Sequence, residues 1–340
     1  MRSDTVAAGV QKFEWLPIFS FDTDVGVGYG MKFFFLSQFD ERESFDVILF
    51  NSTKGERWYR FVVSIPDFEL RQGTDYSLAV DLILDYDKYL KNGFFGVGPD
   101  SRFDDREEYT REPFEATVVF SRGVARQTVL QAGARYRWIR NSNVTDSSTI
   151  PTSGSSLSSG IATAFSVTAS ARYDTRDSYI NPSRGTVIRG EAELAPSVGS
   201  ASFFRAGGTM QWYTPDVYPK TVFAFRLSGQ MIDGPGLPIQ FMLPLGGNQT
   251  LRGFPQDRFL GRVSLVGNVE FRFPLLWRFG AVAGLDAGKV WMNLSAIDLT
   301  GWRANTLFGI RFHMDTFIVR ADLGLGPETT GFYLNFGQLF

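Results

Sequence analysis

The stretch Val263-Ser-Leu-Val-Gly-Asn-Val-Glu-Phe-Arg-Phe273 decides the fold class. Val263, Leu265, Val269, Phe271 and Phe273 alternate with Ser264, Asn268, Glu270 and Arg272, and Arg262 precedes them in the same phase. Successive side chains on a strand point to opposite faces, so this segment has one apolar and one charged face. The pattern recurs outward in both directions. Val25, Val27, Tyr29, Met31, Phe33 and Phe35 form one face of a segment whose other face begins Gly26, Gly28, Gly30, Lys32. Phe308, Ile310 and Phe312 alternate with Arg311 and His313, and Phe317, Val319, Ala321 and Leu323 with Arg320 and Asp322.

Strands of a soluble sandwich run to about five or six residues. Several segments here exceed the roughly nine residues with which a tilted strand crosses a bilayer. Sixteen can be delimited, near 13–21, 24–38, 43–52, 56–66, 75–89, 112–122, 127–139, 160–174, 185–198, 201–213, 220–232, 262–273, 277–292, 302–313, 316–326 and 331–340. The three longest connections, 90–111, 140–159 and 233–261, each follow an odd-numbered segment. They therefore fall on one side of a membrane, which is the pattern of long outer loops and short periplasmic turns. Trp138, Trp212, Trp277 and Trp291 lie near strand ends, as interfacial girdles require. The expected fold is an all-β transmembrane antiparallel barrel over 13–340, preceded by a short periplasmic segment, 1–12. The Ser/Gly tract Ser147–Gly160 reads as an outer loop, since strands of one type flank it.

Composition narrows the chemistry. The 340 residues include no Cys and one His, so thiolate metal sites, Cys nucleophiles and sites needing two imidazoles are excluded. The net charge of −2 argues against a nucleic-acid partner. No apolar run is long enough for a membrane-spanning helix. Arg outnumbers Lys 27 to 7, which favours fixed carboxylate pairing in a confined lumen. No Gly-x-Ser-x-Gly is present, and no catalytic residue, metal site or cofactor is expected.

Four segments depart from generic barrel sequence: Leu245-Gly-Gly-Asn-Gln-Thr-Leu-Arg-Gly-Phe254, Gly267-Asn-Val-Glu-Phe-Arg-Phe-Pro-Leu275, Gly284-Leu-Asp-Ala-Gly288, and Tyr173-Asp-Thr-Arg-Asp177 followed by Asn181-Pro-Ser-Arg-Gly185. In this order they resemble the BamA/TamA-type superfamily of outer-membrane assembly and translocation barrels, the bacterial surface antigen family. The C-terminal Tyr333-Leu-Asn-Phe-Gly-Gln-Leu-Phe340 is similar to that family's last strand.

The resemblance implies a loop carrying Leu251, Arg252, Gly253 and Phe254 that folds into the lumen, with Arg252 paired to carboxylates on the wall. Alternation puts Glu270 and Asp286 on the lumen face, where a buried guanidinium requires such partners. Arg252 is thus expected to latch loop to wall, and Gly253 to permit a turn closed to residues with a Cβ. Asp174, Arg176 and Asp177 are expected to form a charge cluster at a periplasmic turn. Phe336, Gly337 and Phe340 are expected to form a C-terminal strand signal, with Phe336 and Phe340 on one face. The implied function is insertion or translocation of polypeptides through a lateral seam between first and last strands, in a bacterial outer membrane. The implied partners are outer-membrane lipids or lipopolysaccharide and client polypeptides; since 1–12 leaves no room for periplasmic POTRA modules, the chain is either a barrel excised from a longer protein or a short family member, and in the second case a periplasmic delivery partner is implied. A passive pore or lipid-handling barrel is the alternative.

Overall fold

The computed structural model describes residues 11–39, 42–74, 76–144, 160–215, 220–314 and 317–340. Its strands are β1 (Lys12–Asp22), β2 (Gly26–Leu36), β3 (Ser44–Ser52), β4 (Arg57–Ile65), β5 (Tyr76–Phe94), β6 (Glu107–Ala125), β7 (Thr128–Ser142), β8 (Gly160–Asp174), β9 (Gly185–Ala195), β10 (Phe203–Pro215), β11 (Val222–Asp233), β12 (Leu243–Leu245), β13 (Phe259–Gly261), β14 (Val263–Pro274), β15 (Phe279–Trp291), β16 (Arg303–His313), β17 (Ile318–Leu325) and β18 (Thr330–Phe336). Among the described residues, β12 and β13 pair only with each other, and the other sixteen close into one antiparallel barrel. Consecutive barrel strands are neighbours throughout, with β11 joined to β14 and β18 to β1. Of the expected N-terminal segment 1–12, only Gln11 and Lys12 are described, and of the Ser/Gly tract only Gly160; the remainder lies outside the described residues.

Alternation sorts the side chains as period two requires. On β1, Phe13, Trp15 and Phe19 are exposed and their even-numbered neighbours are shielded. On β15, Leu285 is exposed while Asp286 is completely buried. A closed sheet satisfies every backbone group without water, which is why this architecture can cross hydrocarbon. The pattern ends where loops cover both faces: Gly288 to Trp291 are all buried. Trp291 is therefore no girdle residue, unlike the exposed Trp212 and Trp277. Its indole N–H donates to Asp298 at 3.1 Å, and its ring meets Trp302 edge-on.

The expected connection 90–111 is shorter than its sequence suggested. β5 and β6 extend to Phe94 and back from Glu107, with a register shift between Tyr89 and Asn92. Above the shift, Asn92 donates to Tyr109 at 2.8 Å and to Asp257 at 3.2 Å, so polar pairing replaces the lipid-facing alternation. Three strands from β5, on β2, Gly28 and Gly30 relieve crowding. A Cβ on Gly28 would lie 2.1 Å from the Phe50 ring, and one on Gly30 would lie 2.2 Å from the Leu49 carbonyl oxygen.

Closure is uneven. β1 and β2 are in register from Lys12–Leu36 through Asp22–Gly26. β1 and β18 are registered only at Phe21–Leu334 and Asp22–Tyr333. Thr23 extends this short seam: its N–H donates to the Phe332 carbonyl at 3.1 Å, and its hydroxyl accepts from Phe332 N–H at 2.8 Å. Among the described residues, no strand is registered against this side of β1 from Lys12 to Ser20.

Candidate functional site: a loop clasped inside the barrel

The long connection between β11 and β14 turns inward. Its neck is the β12–β13 pair, in register from Leu243–Gly261 to Leu245–Phe259. Gly246 and Gly247 then adopt φ of 127° and 81°, which a residue with a Cβ disfavours, and reverse the chain. Leu251 and Phe254 pack with Leu245, Phe259, Val266 and Val290 in a buried apolar cluster between loop and wall. Both apolar residues of the Leu251–Phe254 motif are therefore anchors, and they present Arg252 to the strands behind.

The Arg252 guanidinium is fully buried and faces three carboxylates. Nε and Nη2 donate to the two oxygens of Asp286 at 3.0 and 2.8 Å. Nη1 donates to Glu270 at 2.7 Å and to Asp322 at 2.9 Å. The Arg252 backbone N–H adds a bond to Asp286 at 3.2 Å. Burial alone would lower this group's pKa; Asp286, Glu270 and Asp322 more than offset it and hold the guanidinium well above its usual range. Asn268 and Asn305 donate to Asp286 at 2.7 and 3.1 Å and fix its orientation.

Further arginines balance the remaining negative charge. Arg272 reaches Glu270 at 2.8 Å, Arg311 reaches Asp322 at 2.5 Å, and Arg320 lies 3.5 Å from Asp322. Arg226 donates to Asn268 at 2.9 Å and to the Gln249 carbonyl at 2.6 Å. An isolated charge in this interior would be costly, whereas a hydrogen-bonded network is tolerable and geometrically specific. The sequence pointed to Glu270 and Asp286 and passed over Asp322 as a partner. Its signal was present in the alternation of Arg320 and Asp322 with Ala321 and Leu323.

Gly253 is required for a different reason from the one anticipated. Its φ is not left-handed. A Cβ there would sit 2.5 Å from the Asn305 Cβ and 2.6 Å from the Gly326 nitrogen. Gly324, Gly326 and Gly331 complete a notch: a Cβ on any of them would come within 2.3 Å of the Arg252 or Gly253 carbonyl oxygen. The loop backbone thus lies against the β17–β18 hairpin, and Thr329 donates to the Gly253 carbonyl at 3.1 Å.

The returning arm carries another buried arginine, which nothing in the sequence singled out. Arg258 pairs with Glu328 at 2.6 and 2.8 Å, bonds Ser101 through its side chain and carbonyl, and stacks on Phe259 and Phe95. At the loop tip the Gln256 N–H donates to Asp24, in the β1–β2 turn, at 3.1 Å.

The turn after β8 separates the three charges expected to cluster there. Arg176 pairs with Asp174 at 2.7 and 3.0 Å. Asp177 instead accepts from the Ser183 hydroxyl and from the N–H groups of Ser183 and Arg184, which organises the Asn181–Gly185 turn. Despite the penalty of partial burial, these bonds hold the Asp177 carboxyl below the usual carboxylate range.

The C-terminal residues also divide. Phe336 is exposed and meets Phe317 edge-on at 5.5 Å. Gly337, with φ of 82°, ends the strand, and the chain turns into the lumen. Phe340 is buried against Tyr213 and Ala224. Its ring lies under Arg272 and Arg226, and its carbonyl accepts from Arg272 at 2.8 Å. Phe336 and Phe340 therefore do not share a face, because the left-handed Gly337 breaks the two-residue period.

Comparison with known proteins agrees with this architecture. Residues 50–340 match the Omp85 superfamily domain. BamA from Haemophilus ducreyi lacking POTRA domains 1–3 superposes with a TM-score of 0.70 at 12% identity, covering 96% of this chain and 70% of that one. CdiB from Acinetobacter baumannii gives 0.60 at 14% identity, with 96% and 60% covered. CdiB from Escherichia coli gives 0.64 at 15%, with 96% and 67% covered. At these identities the structures establish a common fold, and this chain spans between three-fifths and seven-tenths of their lengths. No curated protein matches it. On the strength of the family match over most of its length, the chain belongs to the Omp85 superfamily and is a β-barrel of the bacterial outer membrane.

Proposed function

We propose that the barrel inserts or translocates polypeptides by strand exchange at the β1–β18 seam, without covalent chemistry. The observation that carries this reading is the short registered pairing of β1 with β18, beside a long stretch of β1 with no registered neighbour on that side among the described residues. An unpaired strand edge is a template for another chain. The Arg252 cluster serves as a latch that holds the inner loop while the seam works. The pair Asp174–Arg176 and the Asp177-capped turn stiffen the periplasmic rim. The clients are outer-membrane polypeptides, brought by a periplasmic delivery partner, with lipid or lipopolysaccharide around the barrel.

Phe336, Gly337 and Phe340 are read as a recognition signal for the chain's own assembly. Phe340 is buried in the folded barrel, so recognition of it belongs to the unfolded stage. The chain contains no cysteine, so a disulfide test is clean. Phe21→Cys with Leu334→Cys should tie the paired end, prevent full separation of β1 from β18 and block client insertion in proteoliposomes, and reduction should restore it. Undiminished insertion by the oxidised barrel would refute the seam mechanism.

A passive pore is the second reading. A polar lumen cavity of about 800 Å³ remains on the β2–β9 side, lined by residues including Lys32, Arg60, Asp85, Glu115 and Arg135. Steady conductance in planar bilayers, insensitive to the seam disulfide, would favour it.

A further inference from the structure

The backbone parity of β1 is fixed at both ends. At the top, Thr23 turns its N–H towards β18. At the bottom, the Lys12 carbonyl accepts from Gln38, just beyond β2, at 3.3 Å. The β1–β2 register is unbroken between them, so the odd residues Phe13, Trp15, Pro17, Phe19 and Phe21 direct their backbone groups to the seam. Pro17 stands in the middle of that edge and has no N–H. Its side chain is exposed on the lipid face, so no inward packing accounts for it.

An added strand would find donors at Phe13, Trp15 and Phe19 and none at Pro17. Its carbonyl opposite Pro17 would lack a partner, and such a group is costly away from water. Resting on the seam reading above, we infer that Pro17 is a donor gap built into the edge. It divides strand addition into an upper stretch at Phe19–Phe21 and a lower stretch at Phe13–Trp15, and keeps an added extended polypeptide exchangeable.

The test uses the whole barrel in phosphatidylcholine vesicles. The probe is a fluorescent peptide with the sequence of Thr330–Phe340, the chain's own C-terminal segment, which in the Phe21–Leu334 register runs past Pro17. Pro17→Ala and Pro17→Val both restore the N–H but differ in bulk and β propensity. Both should slow peptide release, by roughly threefold to tenfold, the range expected for one backbone hydrogen bond. Equal release from all three barrels would overturn the donor gap while leaving the seam reading intact. Slower release from Pro17→Val alone would assign the effect to side-chain packing and overturn it too. Failure of the peptide to bind any of the three would refute the edge as a strand acceptor, and this inference with it.

Discussion

Arg252 and Asp322 lie 70 residues apart in sequence and 2.9 Å apart in space, joining the inner loop to β17, the strand that holds β18. The same guanidinium holds Asp286 on β15 and Glu270 on β14. One side chain therefore ties the loop to three barrel strands on one flank of the seam.

Arg252→Ala should leave three buried carboxylates short of a cation. Removing one partner from a buried network costs about 3–5 kcal/mol. The expected outcome is a lower temperature for the heat-modifiable gel shift and reduced yield in the membrane. Arg252→Lys should recover only part of the loss, since an ammonium cannot reproduce the two-pronged contact with Asp286. Wild-type heat resistance in Arg252→Ala would reject the latch.

Gly253→Ala should destabilise the barrel by about 1–3 kcal/mol, the usual range for forcing extra volume into a packed site. The obstruction is backbone and Cβ, which cannot swing away as a flexible side chain can. Gly190→Ala is the matched control, because nothing lies within 4 Å of its added Cβ. Thermal unfolding in detergent micelles would compare the two.

Acidity should act through Glu56, in the β3–β4 turn. Burial pushes its carboxyl up to about 8; Asp87 and Asp22 push in the same direction, and a hydrogen bond with Tyr89 opposes them. The unfolded chain gives up this proton near 4.5, whereas the folded chain retains it to about 8. Stability from this group is therefore greatest at low pH and declines as pH rises through that window. Glu56→Gln should raise the unfolding temperature at pH 8 and leave it nearly unchanged at pH 4. An equal gain at both values would contradict the assignment.

Phe340→Ala should cost about 3–5 kcal/mol, as for other buried phenylalanines, and should release the segment after Gly337 to protease. Phe336→Ala, which changes a lipid-facing ring, should have a much smaller effect on the folded barrel. Limited proteolysis and thermal unfolding of both variants would separate the two roles.

The barrel was legible in the sequence because lipid and lumen impose opposite demands on alternate residues, as at Leu285 and Asp286. Legibility failed where that contrast ends. Above the bilayer, Asn92 and Tyr109 pair with each other, and β5 and β6 run on unannounced. Trp291 is shielded on both faces, so its aromatic character misled. Phe340 was misplaced because one dihedral angle, at Gly337, rotates everything beyond it. Gly253 was recognised as special, but its reason lies in Asn305 and Gly326, far along the chain, which no local reading supplies. The approach of Arg258 to Glu328 and Ser101 is likewise a product of the closed tertiary structure.

Among the described residues, the pairs across the seam all lie at the end where β1 turns into β2, and that end is also where the loop presses on the β17–β18 glycine notch. Fraying therefore has a direction. Strands can part from the opposite end without disturbing the loop, as a zip opens from its loose end. Full separation must also part the loop either from the β17–β18 hairpin, where Thr329 holds Gly253, or from the β1–β2 turn, where Asp24 holds Gln256. On the proposed mechanism, a partial opening would leave the loop seated and a complete one would not, and the two would differ by the loop's contacts with the turns on either side of the seam, Arg258–Glu328, Thr329–Gly253 and Gln256–Asp24 among them.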